Sequence, residues 1–390
     1  MTRSDNKPRT ILQVIPGLTT GGAEKTTLDI SRALVERGYI SIVASSGGRM
    51  VEQLEAEGGT HITLPLASKN PFRMLANVFA LKQIFRDWSV DLVHARSRAP
   101  AWSSFFAAKQ SGLPFVTTYH GAYNEQNRLK SLYNSVMARA DVVIANSQWT
   151  SNLITERYPW SSSQLHIIPR GTDLTQFNKH EISAKRLDAM RDHFGATADQ
   201  RIILNLARLT PWKGQLVLVD AFSQTAADFP DTVLVLAGDA QGRDQYVKRI
   251  EELVQKHGLT DRVFLPGHCT DPAAAFAICD ISVVASTEPE AFGRAATEAE
   301  ALEIPVIVSD LGAVRETVVP HNECQEDQST GWIVPHGDPQ QLANAMQQAL
   351  SLSTLERESM GARARRHVER NFSLEQMVEK TLQIYEELSF

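Results

Sequence analysis

The sequence predicts an α/β protein built from two doubly wound domains, and three observations support this. The chain has 390 residues, which is enough for two domains of ordinary size. Short apolar runs alternate with helical stretches, as expected for parallel sheets that are covered by helices on both faces. The alternation occurs twice, and a polar, charged stretch at 173–200 separates the two series. Two series of about six strands each indicate two doubly wound domains.

The predicted elements follow directly from this alternation. The first series has strands at 10–15, 40–44, 92–95, 115–118, 142–145 and 165–168, with helices that include 24–37, 71–88 and 102–110. The second series includes strands at 202–206, 233–237, 263–265, 281–284 and 306–308. The predicted domains are 1–175 and 176–372, followed by an amphipathic helix at 373–390. Ligands of such sheets bind at the carboxyl ends of the strands, so two such domains that face each other would form a binding cleft.

Composition indicates a cytoplasmic protein. The chain is 43% hydrophobic and 22% charged, which is usual for a soluble globular protein. Its first residues lack the apolar core of a signal peptide, and no apolar run is long enough to span a membrane. The three cysteines, Cys269, Cys279 and Cys324, form no CxxC pair and have no histidine at metal-ligand spacing. This pattern favours a reduced compartment over a disulfide framework.

Charge is divided unevenly along the chain. Residues 1–175 carry 19 Lys and Arg against 13 Asp and Glu, whereas the remainder carries 20 against 32. The N-terminal half is therefore predicted to meet something anionic, with chance surface composition as the alternative.

A glycine-rich loop follows the first predicted strand. Gly17 and Gly22 have the spacing of the first two glycines of a P-loop, but Ala23 stands where that motif needs its lysine. Glu24 comes next, and Lys25 is two positions late. The loop is therefore not an ATP cradle. A helix that starts near Gly22 can still offer backbone N–H groups to a phosphate. From this loop alone, a plain tight turn is supported equally well.

Two further loops follow strands of the second series. Arg208 and Lys213 lie five residues apart on a constrained turn, where a guanidinium and an ammonium group suit a diphosphate. Glu290 precedes a predicted helix and Glu298 lies within it, slightly more than two turns away, so both carboxylates can face one ligand such as a sugar. A solvated basic turn and an ordinary acidic helix start are the alternatives.

Nine segments, taken together, resemble the retaining glycosyltransferases of family GT4, which have the GT-B fold of two Rossmann-like domains. Glu290 and Glu298 match the E-x7-E motif of that family. The segments fall in family order and at family spacing over nearly the whole chain: GGAE (21–24), TTYHG (117–121), ANSQW (145–149), IPRGTD (168–173), RLTPWKG (208–214), VFLPGH (263–268), PEAFG (289–293), IPVI (304–307) and SDLGAVRE (309–316).

The resemblance implies a role for each site residue. Gly22 would contact the donor at the helix start, and Arg208 and Lys213 would clamp its diphosphate. Glu290 and His120 would lie at the reacting centre, with Glu290 on the donor-sugar hydroxyls. Further donor contacts would come from the backbone N–H groups of Phe292 and Gly293 and from Glu298, which would hold the ribose hydroxyls; the stretch 264–267 would flank the base.

The resemblance also implies an overall reaction. A sugar would pass from a nucleotide-diphosphate donor, with a UDP-sugar favoured over GDP-mannose, to a cell-envelope glycan or lipid-linked acceptor. The nucleotide sugar would be a substrate, so no cofactor is expected, and the absence of an Asp-x-Asp motif predicts no metal. The final helix would pack back on the N-terminal domain. No nucleic-acid partner is expected.

Three positions depart from the family pattern. Glu303 stands where members usually have glycine, Gly312-Ala313 stands for Gly-Gly, and Arg170 stands where many members carry asparagine. None of them replaces one of the two glutamates or the Arg/Lys pair, so we expect activity to be retained. We expect these departures to change local packing and, with it, the choice of sugar or acceptor relative to other members.

Alternatives remain for some of these assignments. His120 follows a strand and could be a capped core histidine, although its place at a strand end favours function. The helix at 72–88 has a broad apolar face beside Arg73, Lys82 and Arg86, and its pattern alone favours an ordinary packing helix over one that lies on an anionic membrane. The family's lipid-linked acceptors support peripheral membrane contact. A nucleotide-sugar epimerase on the same fold, or a catalytically silent sugar-nucleotide-binding scaffold, remains the alternative function.

Overall fold

The structure is a computed structural model that describes residues 7–19, 21–121, 123, 127–321 and 328–388. The described chain forms two compact units. Unit 1 contains the described residues up to Arg170 together with those from Glu375 onward, and unit 2 contains Gly171–Leu374.

Unit 1 has a parallel sheet of seven strands within the described residues. They are β1 (Thr10–Val14), β2 (Ile40–Ser45), β3 (Thr60–Thr63), β4 (Leu92–Ala95), β5 (Phe115–Tyr119), β6 (Val142–Ala145) and β7 (Leu165–Ile167). Their order is β3-β2-β1-β4-β5-β6-β7, and every pair is parallel. The order reverses between β1 and β4, which is the point of such a sheet where ligands usually bind.

Helices connect these strands. They are α1 (Gly22–Glu36), α2 (Val51–Ala56), α3 (Pro71–Asp87), α4 (Arg98–Ser111), α5 (Arg128–Asn134) and α6 (Gln148–Arg157). Asn70 caps α3 by accepting hydrogen bonds from the next backbone N–H groups, and Pro71 occupies the first helical position, where its missing N–H costs nothing.

Unit 2 repeats the arrangement with six described strands. They are β8 (Arg201–Leu206), β9 (Thr232–Ala237), β10 (Val263–Gly267), β11 (Ile281–Val284), β12 (Val306–Ser309) and β13 (Gly331–Val334), in the order β10-β9-β8-β11-β12-β13. Its helices are α7 (Ala184–Phe194), α8 (Gln215–Thr225), α9 (Asp244–Lys256), α10 (Pro272–Ala277), α11 (Arg294–Ala301), α12 (Pro339–Ser351) and α13 (Thr354–Asn371). Along β8, Ile202 and Leu204 pack into one core, and Ile203 packs into another on the opposite face. Because both faces are buried, the strands appear in the sequence as continuous apolar runs.

The last helix, α14 (Leu374–Leu388), belongs mostly to unit 1. The hydroxyl of Tyr385 lies 2.5 Å from Nδ1 of His94 on β4, and both side chains are buried. Glu379 pairs with Arg37 beyond α1 at 2.5 Å. A buried hydrogen bond and a surface ion pair therefore attach α14 to this unit.

The predicted fold class is confirmed, and two strands were missed. β3 has the polar sequence THIT on the edge of its sheet, so it lacks the apolar run that marks a central strand. β13 is a short edge strand of four residues beginning with Gly331.

Cys269 and Cys279 are buried free thiols, and burial raises the pKa of Cys269 to about 11. Cys324 lies outside the described residues. None of the described helices is long and apolar enough to cross a bilayer.

One buried carboxyl group stands out in unit 2. The side chain of Glu300 on α11 is fully buried, and neither of its carboxyl oxygens has a hydrogen-bond partner among the described residues. Burial raises the pKa of Glu300 well above its usual value, and the nearby Thr330 side chain offsets this only in part. An unpartnered buried polar group of this kind typically costs about 1–3 kcal/mol of stability.

We expect Glu300→Gln to reduce the pH dependence of stability. Because the folded-state pKa is raised, the stabilisation from the protonated carboxyl is complete below the unfolded-state pKa of about 4.3 and is lost as the pH rises through the folded-state pKa. Within that window the loss is about 1.4 kcal/mol per pH unit. Thermal denaturation from about pH 5 to about pH 8 should therefore show the variant gaining stability over the natural chain as the pH rises. Glu358→Gln, at an exposed position on α13, is the matched control. Parallel pH profiles for the natural chain and Glu300→Gln would contradict the expectation.

Candidate active site

The turn after β8 packs tightly against the backbone that follows β11. A short 3₁₀ turn, Pro211–Lys213, ends at Gly214, which has a φ of 73°. A Cβ atom at Gly214 would overlap the carbonyl oxygen of Ala285, so only glycine fits there. This close approach brings Lys213 beside the loop that carries Glu290.

Lys213 and Glu290 form an ion pair. The Lys213 Nζ lies 2.5 Å from Glu290 Oε1, and the two side chains are only 16% and 11% exposed. The hydroxyl of Ser286 donates a hydrogen bond to the same carboxylate oxygen. Lys213 Nζ also lies 4.3 Å from the centre of the Trp212 ring, in a cation–π contact. Two predicted site residues are thus direct partners, a contact that their separate motifs did not predict.

Arg208 extends this cationic site. Its side chain is exposed, its guanidinium carbon lies 5.8 Å from the Trp212 ring, and its backbone carbonyl accepts a hydrogen bond from Gln215. Within the part of the chain that the structure describes, no acidic side chain forms a salt bridge with Arg208. The residue therefore presents an uncompensated positive charge next to the Lys213–Glu290 pair.

The backbone of Glu290 is fixed by Gly312 and Ala313. The Ala313 N–H donates to the Glu290 carbonyl at 2.8 Å. Gly312 has a φ of 72°, and a Cβ atom there would overlap that same carbonyl. The sequence departure at Ala313 thus lies against the backbone of a predicted site glutamate, a contact that the sequence did not reveal.

The start of α11 contributes backbone groups and the carboxylate of Glu298 to the candidate site. Gly293 caps the helix with a φ of 91°, and a Cβ there would lie 2.9 Å from a methyl group of Val314. The Phe292 ring is buried against Phe372, with ring centres 5.5 Å apart, so this residue has only its backbone to offer a ligand. Glu298 pairs with Arg294 at 2.7 Å. Arg294 is a charged neighbour of the site that sequence reasoning missed, although its position four residues before Glu298 signals such a pair.

The departure at Glu303 has a local explanation. This residue has a φ of 65°, in the left-handed region that favours glycine. Its carboxylate pairs with Lys179. Glu303 therefore has a strained backbone conformation, and its side chain gains an ion pair with Lys179.

In unit 1, Gly22 lies at the predicted place. It is the first residue of α1, after Gly21 at the N-cap position. Lys25 pairs with Asp29 one turn along the helix at 3.2 Å. The late lysine of the glycine-rich loop therefore has a structural partner.

His120 follows β5 and contacts Arg170. The Arg170 Nη2 donates a hydrogen bond to His120 Nδ1 at 2.9 Å. Burial, then the charges of Arg170 and Arg96, hold the pKa of His120 well below its usual value, so the ring is neutral. Since arginine only donates, Nδ1 accepts and the ring proton lies on Nε2, which has no partner among the described residues. The departure from asparagine at 170 thus fixes the tautomer of a predicted site residue.

Two basic residues of the N-terminal half have structural partners within unit 1. Arg96 is buried and donates two hydrogen bonds to Gln13 Oε1, at 2.6 and 3.0 Å. Arg98 donates to Asn134 and lies over the Tyr123 ring at 4.0 Å. The described residues contain no group of three or more His, Cys, Asp or Glu side chains placed to hold a metal ion.

We expect Arg170→Met to raise the pKa of His120 part of the way toward its ordinary value. The variant removes a nearby positive charge and leaves burial in place. An NMR titration of the His120 ring, assigned by its loss in His120→Gln, measures the shift. Arg170→Lys keeps the charge and should leave the pKa low. An unchanged pKa in Arg170→Met would show that Arg170 does not control this ring.

Sequence comparisons place the two units in glycosyltransferase families. Residues 188–367 match the family described as Glycosyl transferases group 1, and residues 20–176 match Glycosyltransferase Family 4. A D-inositol 3-phosphate glycosyltransferase of Jonesia denitrificans is 27% identical over 312 residues, covering 76% of this chain and 71% of the relative.

Solved structures agree in fold. A glycosyltransferase of Rickettsia africae is 34% identical, covers 98% of both chains and superposes with a TM-score of 0.88. The Anabaena protein HepE, solved in complex with UDP-glucose, is 24% identical, covers 97% of this chain and 100% of its own, and has a TM-score of 0.82.

Proposed function

Because the chain belongs to glycosyltransferase family 4, we propose that it is a retaining glycosyltransferase that uses a nucleotide-diphosphate sugar. The observation that carries this proposal is the grouping of Arg208, Lys213 and Glu290 at the carboxyl ends of β8 and β11. Two cations beside one carboxylate suit a ligand that has a diphosphate at one end and sugar hydroxyls at the other.

The donor half of the reaction would use unit 2. Arg208 and Lys213 would stabilise the charge that develops on the leaving diphosphate, and the N–H groups of Phe292 and Gly293 at the start of α11 would add partial positive charge. Glu290 would accept hydrogen bonds from the donor sugar, and Glu298 from the ribose. Because these groups supply the positive charge themselves, we propose that the reaction needs neither a metal nor a cofactor.

Retention of configuration would follow from reaction on one face of the sugar. The acceptor hydroxyl would attack from the side that the diphosphate leaves, and a donor phosphate oxygen would take the acceptor proton. His120 suits a supporting role as a hydrogen-bond donor through Nε2, because its Nδ1 is already occupied by Arg170. Gly22 would contribute its backbone at the start of α1.

A solved relative supports the donor class, and the family resemblance is the basis for the acceptor class. HepE was solved with UDP-glucose, which supports a UDP-sugar donor, with GDP-mannose as the alternative. We propose a cell-envelope glycan or lipid-linked acceptor in lipopolysaccharide or other polysaccharide biosynthesis. The protein would act in the cytoplasm, in peripheral contact with the inner face of the cell membrane.

Slow hydrolysis of the donor in the absence of acceptor tests the proposal. The purified chain is incubated in EDTA with UDP-, GDP- and ADP-sugars, and nucleotide release is measured. We expect release from one nucleotide sugar, and a loss of at least about 100-fold in Glu290→Gln, because that variant removes a charge from the sugar site. Added Mg²⁺ or Mn²⁺ should change the rate little.

Glu288→Gln is the matched control, since Glu288 is exposed and only two residues away. It should keep full activity, and thermal denaturation checks that both variants fold. Binding of a nucleotide sugar without release, even with envelope lipid extract added, would favour a non-catalytic scaffold. No binding of any nucleotide sugar would refute the assignment of unit 2.

A further inference from the structure

Unit 1 exposes a large apolar surface on helices α3, α4 and α5. Phe72, Leu75 and Phe79 follow each other at helical spacing along α3, and they are 83%, 57% and 64% exposed. Phe106 on α4 and Leu129 and Leu132 on α5 are also exposed. These six residues, here called the apolar face, are the majority of the large hydrophobic side chains that the described chain leaves exposed. A patch of this kind usually marks a binding surface.

The apolar face continues into a groove between the three helices. This groove has a volume of about 470 Å³ and an almost entirely apolar lining. Leu75, Phe106, Leu129 and Leu132 line it together with buried or half-buried neighbours such as Trp102. Four of the six exposed side chains therefore share one depression, and Phe72 and Phe79 extend the apolar surface along α3 at helical spacing from Leu75.

The sequence pattern of α3 favoured an ordinary packing helix, and the structure shows that only part of its apolar surface packs. Val78, Leu81 and Phe85 are buried in the core of unit 1. Phe72, Leu75 and Phe79 form a second apolar stripe that points away from that core. An ordinary packing helix of a doubly wound domain has a polar face in this position.

The charge around the apolar face is positive. The sequences of α3, α4 and α5 carry seven Lys and Arg residues and a single acidic residue, Asp87. Arg73 and Arg128 are exposed beside the apolar side chains, and Lys69 lines the groove. The chain as a whole has a net charge of -6, so this excess is local. Exposed aromatic side chains next to cations complement a lipid surface that carries negative headgroups.

We propose that the apolar face docks unit 1 onto an anionic lipid bilayer, with Phe72 and Phe79 inserted among the acyl chains and the neighbouring cations on the headgroups. This proposal specifies how the membrane contact of the proposed function is made. It rests on the proposed function, because docking would bring the protein to a lipid-linked acceptor. A protein partner with an acidic rim would explain the charge but would not need so large an exposed aromatic area along the first half of α3.

Sedimentation with lipid vesicles tests the proposal on the full chain. The protein is mixed with vesicles of phosphatidylcholine alone or with added phosphatidylglycerol, at low and high salt. We expect binding to the anionic vesicles only, and weaker binding as salt screens the cations. The double variant Phe72→Ser/Phe79→Ser should bind at least about tenfold more weakly, because it removes two large inserting side chains. Arg73→Glu/Arg128→Glu should also weaken binding and reduce its salt dependence.

Leu355→Ser is the matched control, since Leu355 is 77% exposed on α13 in unit 2 and lies outside the apolar face. It should bind vesicles like the natural chain. Equal binding of the Phe72→Ser/Phe79→Ser variant, or no binding of the natural chain, would overturn the proposal. Light scattering provides a further test: self-association that this variant abolishes, without vesicle binding, would show that a second copy covers the face.

Donor hydrolysis without lipid separates this inference from the proposed function. All of the substituted positions are exposed and lie outside the proposed donor site, so each variant should release nucleotide at the natural rate. Vesicle binding without hydrolysis by the natural chain would keep the docking surface and reject the transferase. Hydrolysis without vesicle binding would keep the transferase and reject the docking surface.

Discussion

The ion pair between Lys213 and Glu290 is the interaction on which the candidate site depends. It joins the turn after β8 to the loop after β11, the two strands on either side of the point where the sheet order of unit 2 reverses. Removing one partner of a largely buried pair typically costs about 3–5 kcal/mol, because the other charge stays buried without compensation. The pair therefore fixes the loops and also keeps a cation and a carboxylate side by side for a polar ligand.

Glycines make this arrangement possible. Gly214 lets the lysine turn touch the backbone after β11, and Gly312 lets a second loop support the carbonyl of Glu290. Both have a positive φ, so a side chain would be strained as well as blocked. The charged groups are thus held by backbone contacts that tolerate little variation, whereas Arg208, at the edge of the pair, remains exposed.

The sequence was most informative where local pattern determines structure. Apolar runs located the central strands, such as β4 and β11, because both faces of a parallel sheet are buried. The polar edge strand β3 lacked that signal. Motif spacing placed Lys213 and Glu290 on separate loops, but their pairing, the Arg170–His120 contact and the attachment of Tyr385 to His94 join residues 77, 50 and 291 positions apart. Such contacts depend on how the chain folds back, which spacing alone does not encode.

Calorimetric titration with nucleotides tests most directly whether the cations of unit 2 hold a diphosphate. UDP and GDP are compared with UMP and GMP, in EDTA, against the natural chain and Arg208→Met, a variant that removes an exposed charge and breaks no salt bridge among the described residues. We expect one diphosphate to bind at least about tenfold more tightly than its monophosphate, and we expect the variant to lose most of this difference. Equal affinity for mono- and diphosphate, or an undiminished difference in Arg208→Met, would contradict it.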